Sequence, residues 1–266
     1  MRRLRIAAAW SIAGLNLLPL LLVLKQAFTP ERESFAWPPT WWPHEPTVSN
    51  FARASDAVPL GSGLALSLGV AALSVATALA IALPAAWAGA RRERLGRGLD
   101  AAMVLARTFP AIALAVPLAV LFVRAGLYNS RFGLGLWLAH TLLGLPFAFL
   151  VLRAAFRGVP VELEEAARLD GAGPVSAFVR VTLPLVRPSL ATAAMLVFLV
   201  SWDEFAFALL LQVTNRPLPP LLYYLAAFGY PGLSSAVAVL MLVPAVAIVL
   251  LLEPALRSGV LAGSGR

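Results

Sequence analysis

Six long apolar runs constrain this chain more than any other feature. They cover residues 6–27, 61–90, 99–125, 133–156, 190–211 and 235–256. About 20 apolar residues cross a bilayer as a helix. Only helices and closed barrels satisfy their backbone bonds in lipid, and runs of this length suit helices. The composition agrees: 60% of residues are hydrophobic and the mean hydropathy is +0.84. The expectation is an all-α polytopic membrane protein with about six transmembrane helices. Residues 1–60 would form an N-terminal helix and outer loop, and residues 61–266 a membrane domain.

The net charge of +8 does not point to nucleic acid, because the arginines fall in short loops between apolar runs. Cationic residues concentrate in cytoplasmic loops. With the N-terminus inside, fourteen Lys and Arg residues lie on the cytoplasmic side and six outside, with Arg107 inside the third run. Both termini and the loop at 157–189 are then cytoplasmic, in a multi-pass protein of the cell membrane. The first run is too long for a signal core and no small-residue cleavage site follows it, so a retained helix is expected. Trp37, Trp41 and Trp42 in the first outer loop suit the headgroup boundary. Pro84, Pro110, Pro117, Pro146 and Pro244 would kink the helices that hold them.

Several chemistries are excluded. There is no Cys, hence no disulfide and no thiolate metal site. His44 and His140 stand alone, so no metal centre is expected. Lys25, the one lysine, has no glycine-rich loop before it, so the chain lacks a Walker phosphate loop. No catalytic constellation is evident, and a self-contained carrier with inverted repeats finds no support in the pattern.

The loop at 157–189 is polar and patterned. Pro160 suits the first position of a helix. Glu162, Glu164 and Glu165 follow where the helix dipole favours acids. Arg168 stands four residues after Glu164, a supportive spacing. Gly171 after Asp170 can supply a left-handed stop. The spacing predicts a helix over 160–170 and a second over 175–181, ended by Leu183-Pro184 and Pro188. Leu163, Ala166, Ala167 and Asp170 share one face. A helix resting on lipid headgroups would want basic residues, whereas this one carries four acids and one Arg. Docking to another protein fits better.

Glu165-Ala166-Ala167, then Gly171, then Val181-Thr182-Leu183-Pro184 resembles the coupling motif of ABC importer permeases, with Val181 where Ile is commoner. Leu145-Pro146-Phe147, Leu169-Asp170-Gly171-Ala172 and Trp202-Asp203-Glu204-Phe205 are similar to the maltose-type, carbohydrate-uptake branch. The Gly-rich tail after Ser258 extends the likeness, and Asn50-Phe51 resembles a feature of the branch's first outer loop.

The resemblance implies a transport subunit with no enzyme activity of its own. Its two short helices would sit in a cleft of a separate ATPase subunit. Glu165 would pair with a basic residue there. Ala166, Ala167, Leu169, Asp170 and Gly171 would give close packing, and Leu183-Pro184 would fix the second helix to the membrane domain. Two ATPases would use ATP and Mg, while this chain binds no cofactor. A second permease, usually a homologue, and an external binding protein would complete the importer of a carbohydrate, or alternatively of a phosphate ester, amino acid or peptide.

Two positions depart from the branch: Asp203 stands where Asn is usual, and the tail ends Ser264-Gly265-Arg266. Acids inside a membrane are expensive and point to function. Trp202, Asp203, Glu204 and Phe205 would line a sugar pathway. Equally, either acid could bond a neighbouring helix or pair with Arg107.

Overall fold

The computed structural model describes residues 2–263, which form helices and connecting turns, with no strand among them. The departing tail Ser264-Gly265-Arg266 lies outside the described residues. In order the helices are α1 (Arg2–Ala27), α2 (Glu31–Ser34), α3 (Ser49–Ala57), α4 (Leu60–Arg91), α5 (Glu93–Ala106), α6 (Ala111–Arg124) and α7 (Leu134–Arg157). Then come α8 (Val161–Leu169), α9 (Pro174–Ala177), a π-helical stretch at Phe178–Thr182, and α10 (Leu183–Leu185). The chain ends with α11 (Arg187–Trp202), α12 (Ala206–Leu211), α13 (Leu218–Ala227) and α14 (Pro231–Gly263).

Among the described residues four helices are long and apolar enough to cross a membrane, and up to six spans result if each of two bent pairs counts as one. One of the bends corrects an expected run. The third run breaks into α5 and α6 at an angle of 95°. Arg107-Thr108-Phe109 ends one helix, and Pro110, which has no N–H to give, caps the next. The other bent pair, Pro174–Leu185 with Arg187–Trp202, turns by 77° at the entry to the fifth run. The fifth run itself divides at Asp203–Phe205 into α11 and α12. Of the five prolines read as kinks, Pro84, Pro117, Pro146 and Pro244 lie inside continuous helices, and Pro110 marks the break. Helix α13 falls outside the six expected runs, being only 10 residues long.

The chain divides into two compact units. One comprises Met1–Leu64 with Pro217–Pro244, the other Ala65–Arg216 with Ala245–Arg266. In the first, Asn50 is buried and its amide donates to the carbonyls of Ala27 (3.0 Å) and Thr29 (2.8 Å). Its side chain also fills the space beside Gly232, where a Cβ would come within 2.8 Å of the amide nitrogen. Phe51 packs on Phe28. Asn50-Phe51 therefore fastens the end of α1 to the loop and α3. Trp37, Trp41 and Trp42 are exposed.

In the second unit, Ala78, Ala82 and Ala86 recur every four residues along α4 and are fully buried. Small side chains let membrane helices approach closely. Against them pack Phe149, Leu152 and Phe156 of α7 and Ala193 and Val197 of α11. Gly144 does the same for α7 and α11: a Cβ there would meet Val197 at 2.7 Å. A second apolar cluster joins Leu66 and Val70 of α4, Ala115 and Phe122 of α6, and Phe207 and Leu211 of α12.

Candidate functional site: the loop between α7 and α11

The first loop helix forms as its sequence dictates, with small shifts at its ends. Pro160 occupies the N-cap with extended backbone, so α8 starts at Val161. At the other end Gly171 has φ +89°. Its N–H bonds the carbonyl of Arg168, and that of Ala172 bonds Ala167. This pair of reverse bonds is a Schellman stop, which requires a left-handed residue and favours glycine.

The second helix departs from expectation. It does not end at Leu183-Pro184 but continues from α9 through the π-helical stretch to Leu185. The wide turn resets the bonding register, and Pro184 falls in the first turn of α10, where no N–H donor is needed. Pro188 likewise opens α11.

The two sides of α8 differ sharply. Glu165, Ala166, Leu169 and Asp170 are exposed, as is Gly171, while Ala167 is half-buried. Leu169 is 89% exposed. Leu183 and Pro184 are half-buried, and Leu183 packs against the α4–α7–α11 core.

Glu164 points the opposite way. Its partner is not Arg168, as the spacing implied, because the side chain turns inward. One carboxylate oxygen accepts from Trp87 Nε1 (3.1 Å), Arg91 Nε (3.2 Å), Arg91 Nη2 (2.6 Å) and Thr182 Oγ1 (2.8 Å). Arg91 Nη1 also donates to the carbonyls of Phe156 and Val159. Burial pushes the Glu164 carboxyl up. The hydrogen bonds from Arg91, Trp87 and Thr182 and the charge of Arg91 outweigh burial and hold it below its ordinary value.

A folded-state pKa below the unfolded one gives stability above the unfolded pKa, lost as pH falls through the folded value. Purified wild-type protein should therefore melt higher than Glu164→Gln at neutral pH, with the gap closing below pH 4.5. A gap independent of pH would mean that the Glu164 charge is immaterial.

Between the ends of α4 and α8 lies a cleft of about 320 Å³. Trp87, Arg91, Arg92, Glu165 and Arg168 are among its lining residues. Arg153 of α7, one of the fourteen cations on the cytoplasmic side, is buried. It pairs with Asp100 of α5 and lies 3.8 Å from Glu93. Gly89 and Gly96 make room for it, since a Cβ at Gly96 would run into the guanidinium.

The four residues expected along a pathway are adjacent but face different surroundings. Trp202 is buried and stacks on Phe198 at 5.5 Å. Asp203 is exposed at the break, and Phe205 is half-buried. Glu204 accepts from the N–H groups of Ala206 (3.0 Å), Phe207 (2.8 Å) and Ala208 (3.2 Å), which caps α12. Its carboxylate also stands 3.5 Å from His140 Nε2 of α7, and His140 Nδ1 meets Ser201 Oγ at 2.8 Å. The pairing with Arg107 does not occur: that guanidinium lies 4.1 Å over the Phe147 ring. The sequence reading missed Trp87, Arg91, His140 and Thr182, since nothing in their spacing links them to the acids they meet. Among the described residues no metal-binding cluster occurs.

The family model for the binding-protein-dependent transport system inner membrane component matches residues 78–260. The chain is 35% identical over 265 residues to the sulfoquinovosyl glycerol transport system permease protein of Agrobacterium fabrum, covering 98% of this chain and 92% of that one. It is 31% identical over 263 residues to the trehalose transport system permease protein of Mycobacterium tuberculosis, covering 95% and 93%. A crystal structure of a bacterial ABC transporter involved in the import of the acidic polysaccharide alginate has the same fold, with a TM-score of 0.76, 20% identity, and 95% and 96% coverage. A chain matched over residues 78–260 by that family model, and along nearly its whole length by permease proteins, belongs to the inner-membrane permease subunits of binding-protein-dependent ABC importers.

Proposed function

We propose that this subunit passes a carbohydrate across the membrane and is driven by an ATPase that docks on α8 and the turn after it. One observation carries the docking: Glu165, Ala166 and the stretch from Arg168 to Gly171 are exposed, Leu169 almost wholly, on a helix anchored from behind by Glu164. Glu165 reaches a basic residue of the ATPase, Ala166 and Ala167 allow close approach, and Leu169 and Asp170 pack beside them. Leu183-Pro184 holds the second helix to the membrane core.

The docking loop 157–189 and both termini are cytoplasmic. Two ATPase subunits bind ATP and Mg. A second, homologous permease and an external binding protein complete the assembly. Residues 61–266 act as the permease domain, and 1–60 as an added helix and outer loop. A carbohydrate is favoured because relatives along the full length are named for sulfoquinovosyl glycerol and trehalose transport.

Mild-detergent purification from the native membrane tests the assembly. A Walker-type ATPase and a second permease should copurify. A chain that emerges alone, and moves solute without ATP, would overturn the reading.

Asp203, exposed at the break in the fifth span, is the pathway acid. Hydroxyls donate more strongly to a carboxylate than to an amide, by about 1 kcal/mol. Asp203→Asn should thus lower uptake about fivefold at unchanged membrane abundance. Uptake equal to wild type would remove Asp203 from the pathway.

A further inference from the structure

Glu164 does more than end up buried behind the docking face. We propose that Glu164 and Arg91 form a rigid joint, through which α8 and the inner end of α4 move as one body during transport. The inference rests on the docking reading above and assigns both as positioning residues.

Four donors from two segments, α4 and the π-helical stretch, converge on one Glu164 oxygen. Arg91 commits all three of its guanidinium nitrogens, to Glu164 and to two carbonyls at and beyond the end of α7. The contact is shielded from water: the Glu164 side chain is 4% exposed and that of Arg91 18%. Phe178 packs against Trp87 at 5.1 Å and against Phe156 at 5.9 Å, closing the apolar side. Charge-assisted bonds to a planar fork fix orientation as well as distance.

The placement matters because Glu165 directly follows Glu164. A force applied to the outward face of α8 reaches Glu164 within the same helical turn. Arg91 is the last residue of α4, a helix of 32 residues that runs about 48 Å. Its inner half carries the alanine stripe that packs on α7 and α11. Displacement of α8 is thereby handed directly to a membrane span. A loop fastened only through its chain ends would instead absorb the motion in the turns at Gly158 and Val186.

The test uses the assembled importer in lipid vesicles, with its ATPase, partner permease and binding protein. This chain has no cysteine, so a spin-label pair can be introduced at exposed positions by Glu162→Cys and Arg92→Cys. The separation is measured without nucleotide and with ATP plus vanadate. With Glu164 and Arg91 intact, one unchanged separation is expected in both states. Arg91→Lys keeps a charge but loses the fork. It should let the separation shift with ATP plus vanadate, and should lower solute moved per ATP about tenfold.

A separation that shifts with the joint intact would refute the proposal, whatever the variant does. So would an Arg91→Lys complex with wild-type solute per ATP. If the ATPase never copurifies with the wild-type chain, the docking reading fails and the joint with it. An assembled, active importer whose separation shifts overturns the joint alone.

Discussion

Gly171→Asp should abolish uptake while the protein still reaches the membrane at normal abundance. Two effects combine at this position, and they can be separated. The backbone sits at φ +89°, where an L residue costs about 1–2 kcal/mol. Gly171→Ala measures that strain alone, because nothing in this chain lies within 4 Å of the added Cβ. Aspartate tolerates left-handed backbone better than alanine does. Local strain would therefore make Asp no worse than Ala. A partner packed against the turn reverses the order, since an unpaired carboxylate buried in an interface costs about 3 kcal/mol or more, over a hundredfold in occupancy. Uptake assays beside membrane blots of both variants decide the matter. If Gly171→Asp transports as well as Gly171→Ala, no partner covers this turn.

Glu204→Ala is expected to remove both stability and uptake. Its carboxylate serves three backbone N–H groups at the start of α12 and faces His140, with the side chains nearly buried. Losing a cap and stranding buried donors costs about 2 kcal/mol or more. Thermal unfolding in detergent should drop accordingly, and Glu204→Gln, which keeps an acceptor oxygen, should fall between. Uptake lost at wild-type thermal stability would return Glu204 to the solute pathway. This contrasts with Asp203→Asn, where uptake should fall without a change in melting.

The difference between these neighbours illustrates what a sequence can convey. Asp203 and Glu204 are both acids in an apolar run and look alike. Only the break at Asp203–Phe205 separates them, exposing one and turning the other onto a helix start. Helix α8 is the reverse case. Proline before Val161, acids in the first turn and glycine after Asp170 are local signals, and local backbone physics made α8 almost where they indicate. The second short helix runs past its expected end, because a π turn that accommodates Pro184 has no simple sequence mark.

Glu164 shows the same limit from another side. Arg168 stands at the helical spacing that favours pairing, yet the buried partners of Glu164 are Trp87, Arg91 and Thr182. A satisfied, water-excluded carboxylate outweighs an exposed pair worth about 0.5 kcal/mol. No spacing rule reaches across that much chain.

By itself the sequence determined the membrane class, the long spans α1, α4, α7 and α14, the helix at 160–170 and its glycine stop. Each follows from hydropathy, proline or a single backbone conformation, all of which act over a few residues or one helix length. The tertiary structure alone decided where two spans bend, which face of α8 is anchored, and which buried acids meet Arg91 and His140. Those outcomes depend on side chains far apart in sequence competing for the same few donors in a medium that leaves none of them to water.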